Sequence, residues 1–307
     1  MSEKPEPIAH DRQAFPAGVV EQVSPLVRRL ICGNGGPFTF TGTCSYIVGR
    51  GRVSIIDPGP DDAGHLQALL TATDGETIDH ILVTHTHRDH SPGARRLKEL
   101  TGARLIGCDR HIPVVNDSSG RLDASHDLDH APDDVMRDGD CLGGQGFTLT
   151  AVHTPGHASN HLCFALSEET ALFSGDHVMA WSTTIVAPPD GAMSEYMASL
   201  DRLRARGETI MWPGHGGPVQ EPARYMRALA THRRLRESAI VGAVCAGDRS
   251  VAEIVARVYE GLNPRLVGAA SLSALAHLED LVARGIVRAD GPATLDAIYE
   301  PGATRAS

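Results

Sequence analysis

A chain of 307 residues, 41% hydrophobic and 21% charged, is ordinary for a globular protein and long enough for a large domain plus a small one. Its net charge of −10 opposes non-specific binding to polyanions. No apolar run approaches the roughly 18 residues of a membrane span, and Met1 to Pro7 is polar with no signal-peptide core; the expectation is a cytoplasmic protein with no membrane partner.

In chain order, residues 1–20 are Pro-rich and read as a tail lying along the surface. Val23 to Ile31, and Phe38-Thr39-Phe40-Thr41 to Tyr46-Ile47-Val48-Gly49, alternate as strands do, with a Gly-rich loop between them. A short strand at 53–56 ends in Asp57-Pro58-Gly59, and a helix is predicted over 61–71. The apolar run 78–84 then leads into His85-Thr86-His87-Arg88-Asp89-His90. Three histidines and an aspartate just past a buried strand are of the kind that bind transition metals, and suit neither core nor solvated surface.

A helix over 94–100 and a strand over 103–107 follow. Residues 111–138, rich in Asp, His and Ser, read as a surface insertion whose His111, His126 and His130 are solvated. A strand over 143–152 runs into His153-Thr154-Pro155-Gly156-His157, and strands at 161–166 and 171–174 pair before Gly175-Asp176. A helix over 194–206 precedes a strand over 208–212 that ends at Pro213-Gly214-His215. Five strands thus end in metal-ligand residue types: Asp57, the 85–90 cluster, His157, Asp176 and His215. Sites in α/β proteins gather beyond the carboxyl ends of strands, so a fold that aligns these edges assembles the ligands. The six cysteines show no paired spacing; Cys44, Cys108 and Cys163 read as small buried thiols.

Beyond residue 221 the texture becomes helical: 225–246, 250–259 with a Ser cap, and 271–284, then strands at 285–288 and 294–299. Three helices and a hairpin suggest a small winged-helix domain. This tail holds 11 Arg against 10 acidic residues, too neutral for a DNA reader, so it is expected to pack beside the site or to make a homodimer.

With its His85-x-His87-x-Asp89-His90 motif and His157, Asp176 and His215 behind it, the chain resembles the metallo-β-lactamase-fold superfamily. The Ser174-Gly175-Asp176 and Pro213-Gly214-His215-Gly216 turns and the tail segment 251–259 are similar to its branch of endoribonucleases with a C-terminal winged helix. The resemblance implies an α/β fold, a four-layer αββα sandwich over 1–220, followed by a winged-helix-like domain over 221–307. It also implies two zinc ions, with iron or manganese as substitutes. His85, His87 and His157 would hold one; Asp89, His90 and His215 would hold the other; Asp176 would bridge them. A hydroxide shared by the metals, oriented by Asp89 as catalytic residue, would hydrolyse an ester, thioester or related small substrate. Single-stranded RNA is the alternative substrate, but aromatics are only 4% and offer no obvious platform for stacking bases.

Three further residues are candidates near this site. Asp57 is either a partner for the distal nitrogen of a ligand histidine or a plain turn aspartate. His161, like His177, either reaches substrate or packs beside the site. Thr183, with Ser182 and Thr184, offers hydroxyls to an anionic substrate, while His153 reads as structural.

Overall fold

The computed structural model describes residues 8–113 and 126–302. Within them the first half of the chain builds a sheet in sequence order. Strands β1 (Val20–Gln22), β2 (Val27–Ile31), β3 (Cys44–Arg50) and β4 (Arg52–Ile56) form an antiparallel meander. Strands β5 (Thr77–Val83), β6 (Arg104–Gly107) and β7 (Asp134–Val135) then add in parallel. Parallel neighbours need crossovers, and helices α1 (Ala63–Ala72) and α2 (Pro92–Thr101) supply the first two. Strands β2, β4 and β6 are buried along nearly their whole length because both faces of this sheet are covered.

A second sheet has the order β12-β11-β10-β9-β8. It comprises β8 (Cys141–Gly144), β9 (Phe147–His153), β10 (Leu162–Leu166), β11 (Ala171–Gly175) and β12 (Ile210–Pro213), with α3 (Met193–Arg204) crossing between the last two. Its residues alternate between two cores, as a pleated strand demands. Leu149, Leu162, Phe164, Phe173 and Trp212 face the first sheet. Cys163, Ala165, Leu172 and Met211 face α3 and α4 (Pro222–Cys245) through Tyr196, Leu200, Met226 and Leu229. Helix, sheet, sheet and helix are stacked as the sequence suggests.

Helix α4 continues into a third core with α5 (Val251–Val258), α6 (Val267–Ala283) and the hairpin of β13 (Val287–Ala289) and β14 (Tyr299–Pro301). Ser250 caps α5 as its sequence implies, in a reciprocal box with Glu253.

Several local expectations are corrected. Phe38–Thr41 is a turn, and Phe38 is exposed. The strand expected over 143–152 is a hairpin that turns at Gly146, whose φ of 78° glycine adopts without strain. The last strand begins only at Tyr299. The segment Pro264–Ala283 is, by length and composition, apolar enough to cross a membrane, contrary to the composition reading. Here its Leu275, Leu278 and Leu281 are buried, the last two in the C-terminal core. Cys44, Cys108 and Cys163 are buried free thiols.

Strand direction places the site. Strand β4 runs parallel to β5, and β9, β11 and β12 share one direction, because β9 and β11 are both antiparallel to β10. The carboxyl ends of all five therefore reach one edge of the sandwich. Backbone bonds from Cys44 N–H to the Gly214 carbonyl (2.7 Å) and from Leu162 N–H to the Thr84 carbonyl (2.8 Å) stitch the two sheets together there.

Candidate metal centre

At that edge the seven expected ligand residues lie together. Two trios, His85/His87/His157 and Asp89/His90/His215, each bring one donor atom per residue within 4.8 Å of the others. Asp176 stands between them: its Oδ1 is 3.5 Å from His90 Nε2, and its Oδ2 is 3.4 Å from His215 Nε2 and 3.7 Å from His157 Nε2. Tetrahedral bonds of zinc length put ligand atoms roughly 3.3 Å apart, longer than a good hydrogen bond. The His90 Nε2–His215 Nε2 separation of 3.3 Å has that spacing.

The tautomers follow from what lies behind each ring. His157 Nδ1 donates to the Ile185 carbonyl at 2.7 Å and His215 Nδ1 to the Gly42 carbonyl at 3.2 Å. A carbonyl only accepts, so both Nδ1 atoms carry hydrogen and both Nε2 atoms face inward. His90 Nδ1 donates to Asp57 Oδ2 at 2.9 Å. The Thr84 hydroxyl donates to the same carboxylate at 2.7 Å, so its oxygen accepts from His85 Nδ1 at 2.9 Å. Four imidazoles thus present Nε2 to the centre, while His87 presents Nδ1, 2.9 Å from His85 Nε2 and 3.0 Å from His157 Nε2. Partners behind the rings that fix tautomer and orientation are what ligating histidines need.

The donor set fits divalent cations on two further observations. Asp176 Oδ1 is buried without a hydrogen-bond partner, a costly state for an ionised oxygen unless a cation faces it. Ring geometry agrees: His85 and His157 centroids are 5.1 Å apart at 76°, and those of His90 and His215 are 5.0 Å apart at 76°. Two imidazoles converging on one ion place their centroids about 5 Å apart.

Charge divides the site. Burial, reinforced by neighbouring histidines, holds His85 and His87 well below the usual imidazole range, the neutral form that ligates. Burial also works against a charged His215, but Asp176 and Asp89 outweigh it and bring its pKa up to about 10. Burial would raise the Asp89 carboxyl, yet His90 and His215 hold it below the carboxylate range. A cation held there would displace those protons.

Asp57 is a buried hydrogen-bond partner of His90 rather than a plain turn residue. It is buried, accepts from Thr84 N–H at 2.8 Å as well, and holds φ at 49°, a left-handed conformation that aspartate tolerates better than most residues. His161 does not line the cavity. Its Nε2 accepts the Asp176 N–H at 3.2 Å and its Nδ1 pairs with the Thr154 hydroxyl at 2.8 Å, so it orients Asp176. Thr183 is also absent from the cavity lining; Thr184 instead donates to the Asp176 and His177 carbonyls at 2.8 and 3.0 Å. The half-exposed His153 keeps a structural role, donating its ring N–H to the Ser159 carbonyl at 3.4 Å.

The insertion histidines overturn their reading as solvated: His111, His126 and His130 are all buried. His126 bridges to the His87 backbone and meets the Thr86 hydroxyl at 3.0 Å, while His111 and His126 stack before the Asp190 carboxylate. Their 3.7 Å stacking at 7° is too close and too parallel for two ligands of one ion. No periodic apolar pattern marks this segment, so its burial left no trace in the sequence.

Above the ligands opens a cavity of about 500 Å³. Its floor includes His87, Asp89, His157 and Asp176; its walls include Phe38, Ile185 and Pro188–Pro189, and from the C-terminal unit Arg265, Ala269 and Leu272. No sequence signal pointed to these wall residues, because the cavity is made by distant segments.

This fold and donor set define a metallohydrolase of the sandwich type. Residues 38–215 match the metallo-beta-lactamase superfamily, and residues 250–293 match the beta-lactamase associated winged helix domain. The chain belongs to the metallo-beta-lactamase superfamily and is a hydrolase. It is 32% identical to the lactamase-like protein adaB of Aspergillus niger over 243 residues, 77% of this chain and 68% of that protein. It is 30% identical to an atrochrysone carboxyl ACP thioesterase of Aspergillus terreus over 266 residues, 80% and 76% of the two chains. A metallo-beta-lactamase family protein from Thermus thermophilus superposes with a TM-score of 0.75 at 22% identity, covering 91% of this chain and 100% of that one, which establishes common fold.

Proposed function

We propose that this hydrolase cleaves an acyl thioester, using two divalent cations of which zinc suits the donor set best. His85, His87 and His157 would hold one cation, Asp89, His90 and His215 the other, with Asp176 shared. Such a pair supplies Lewis acidity and brings the pKa of water near neutrality.

The chain's own groups do the rest. Asp89 is the most open of the ligand carboxylates, its side chain 29% exposed at the cavity floor. It accepts a hydrogen bond from the attacking water and turns the lone pair toward the acyl carbon. Asp57, Ile185 and Gly42 hold the imidazoles still, and His161 does the same for Asp176. The apolar walls exclude water from the acyl group.

The observation that carries the thioester reading is the likeness to an atrochrysone carboxyl ACP thioesterase, 30% identical over 80% of this chain, and the lining of the cavity agrees with it. Its imidazole outside the ligand set, His126, is brought down to about 4 by burial despite the Asp190 carboxylate. A thiolate leaves without protonation, since its thiol has a pKa of about 8.5, whereas an alkoxide or amide nitrogen needs a proton donor. Arg265 is the one Arg or Lys among the described residues lining the cavity, a sparse complement for the phosphates of an RNA strand.

The test offers one acyl group as a thioester and as an alkyl ester, with single-stranded RNA in parallel. The expected result is thioester turnover well above ester turnover, RNA left intact, and loss of activity in Asp89→Ala. RNA cleavage that disappears in Asp89→Ala, with the thioester untouched, would overturn the proposal.

A further inference from the structure

The cavity is ordered by depth. Its floor holds the ligand residues, including buried Asp176; its mouth holds Arg265, exposed and carried by the C-terminal unit. Among the described residues, Arg265 is the one Arg or Lys lining the cavity, and it forms no ion pair. Its backbone is fixed, because its N–H donates to Asn263 Oδ1 at 3.0 Å in the turn before α6. Gly268 and Ala269, in the first turn of α6, line the cavity beside it, so the positive end of the helix adds to the same potential. In a chain of net charge −10, this places a fixed positive charge among the described residues at the rim of the cleft. Half-buried apolar side chains, Ile185 and Leu272 among them, line the rest of the cavity.

An anion at the mouth joined through a thin chain to a reacting group on the floor describes a phosphopantetheinyl thioester. We infer that Arg265 is a specificity-determining residue that holds the phosphate of such an arm while its thioester reaches the ligand-lined floor. This rests on the thioester reading. It also gives the C-terminal unit a role as the recognition wall of the cavity. A guanidinium is suited to that task, because its donors match phosphate oxygens in pairs.

The experiment places one aromatic acyl group on coenzyme A, on 4′-phosphopantetheine and on N-acetylcysteamine, which has no phosphate. Wild type, Arg265→Ala and Arg265→Glu, all loaded with zinc, are compared by kcat/KM. The expected result is a fall of about tenfold for Arg265→Ala on both phosphate-bearing thioesters, through KM, and a larger fall for Arg265→Glu. The effect is confined to those two substrates. An acyl carrier protein bearing the same arm separates the sources: preference for it over coenzyme A marks a protein-borne arm, and the reverse marks the free coenzyme. Equal losses on all three small substrates, or none, overturn the role of Arg265 while leaving thioester hydrolysis standing. No thioester turnover by the wild type overturns both.

Discussion

Replacing Asp57 by Asn changes one atom in the support of the metal centre. Asp57 Oδ1 accepts from Thr84 N–H, and Oδ2 accepts from both His90 Nδ1 and the Thr84 hydroxyl, at 2.9 and 2.7 Å. Asparagine tolerates the φ of 49° and can keep the first bond, but its amide then turns two hydrogens toward two donors. Leaving buried donors unpaired costs about 1–3 kcal/mol each, so the folded protein should lose about 2–6 kcal/mol. His90 can escape only by moving its proton to Nε2, which removes it as a ligand. Lost support of this kind weakens metal binding by about 10–100-fold, or about 1.4–2.7 kcal/mol. Chelator competition on the folded variant should show the larger loss in the equivalent of Asp89, His90 and His215, and a smaller one in that of His85, whose Nδ1 relies on the Thr84 hydroxyl. Two equivalents bound with wild-type affinity would refute the reasoning.

Gly214→Ala should abolish tight metal binding while preserving the circular-dichroism spectrum, because a Cβ there would lie 2.5 Å from Asp176 Oδ1 and 2.6 Å from His90 Cε1; unchanged metal content would contradict this. Metal-free protein should lose stability as pH rises from the unfolded-state histidine value of about 6.5 through the folded His215 value of about 10. Because metal displaces that proton, zinc affinity should rise over the same interval, as a pH series of melts with and without zinc would show. Glu279, half-buried on α6, has its carboxyl pushed up to about 7 by burial, so the folded state binds its proton more tightly than the unfolded chain. That contribution is full below the usual carboxylate range and is lost as pH rises through 7. Glu279→Gln should therefore match wild type in urea unfolding near pH 5 and exceed it by about 1–2 kcal/mol near pH 8, after discounting for partial exposure.

The candidate ligand residues were legible because each lies just past the carboxyl end of a strand, four of them behind β5. A buried β run followed by a His or Asp is a local pattern, and parallel strand direction turns five local patterns into one site. The four-layer fold was legible through the same strands and their family likeness. What remained hidden depends on distant segments. His126 is buried by contact with the 84–90 loop, and nothing in its Asp- and Ser-rich neighbourhood shows this. Phe38, Pro188 and Leu272 share a wall only after the C-terminal unit has folded against the sandwich. Thr184 rather than Thr183 faces the Asp176 backbone, a one-residue difference in an irregular loop where no periodicity assigns faces. Helix α4, whose Met226 lies in one core and Ile240 in the next, ties the two parts together more closely than a change of texture at residue 221 suggests.

The most direct measurement is a metal titration of chelator-stripped protein, followed by thiol release from an acyl thioester. If two cations act together over the Asp176 carboxylate, activity should lag through the first equivalent of zinc, rise with the second, and be absent at both points in Asp89→Ala. Full activity without metal or at a single equivalent, or no thiol release with two bound, would contradict a two-cation thioester hydrolase.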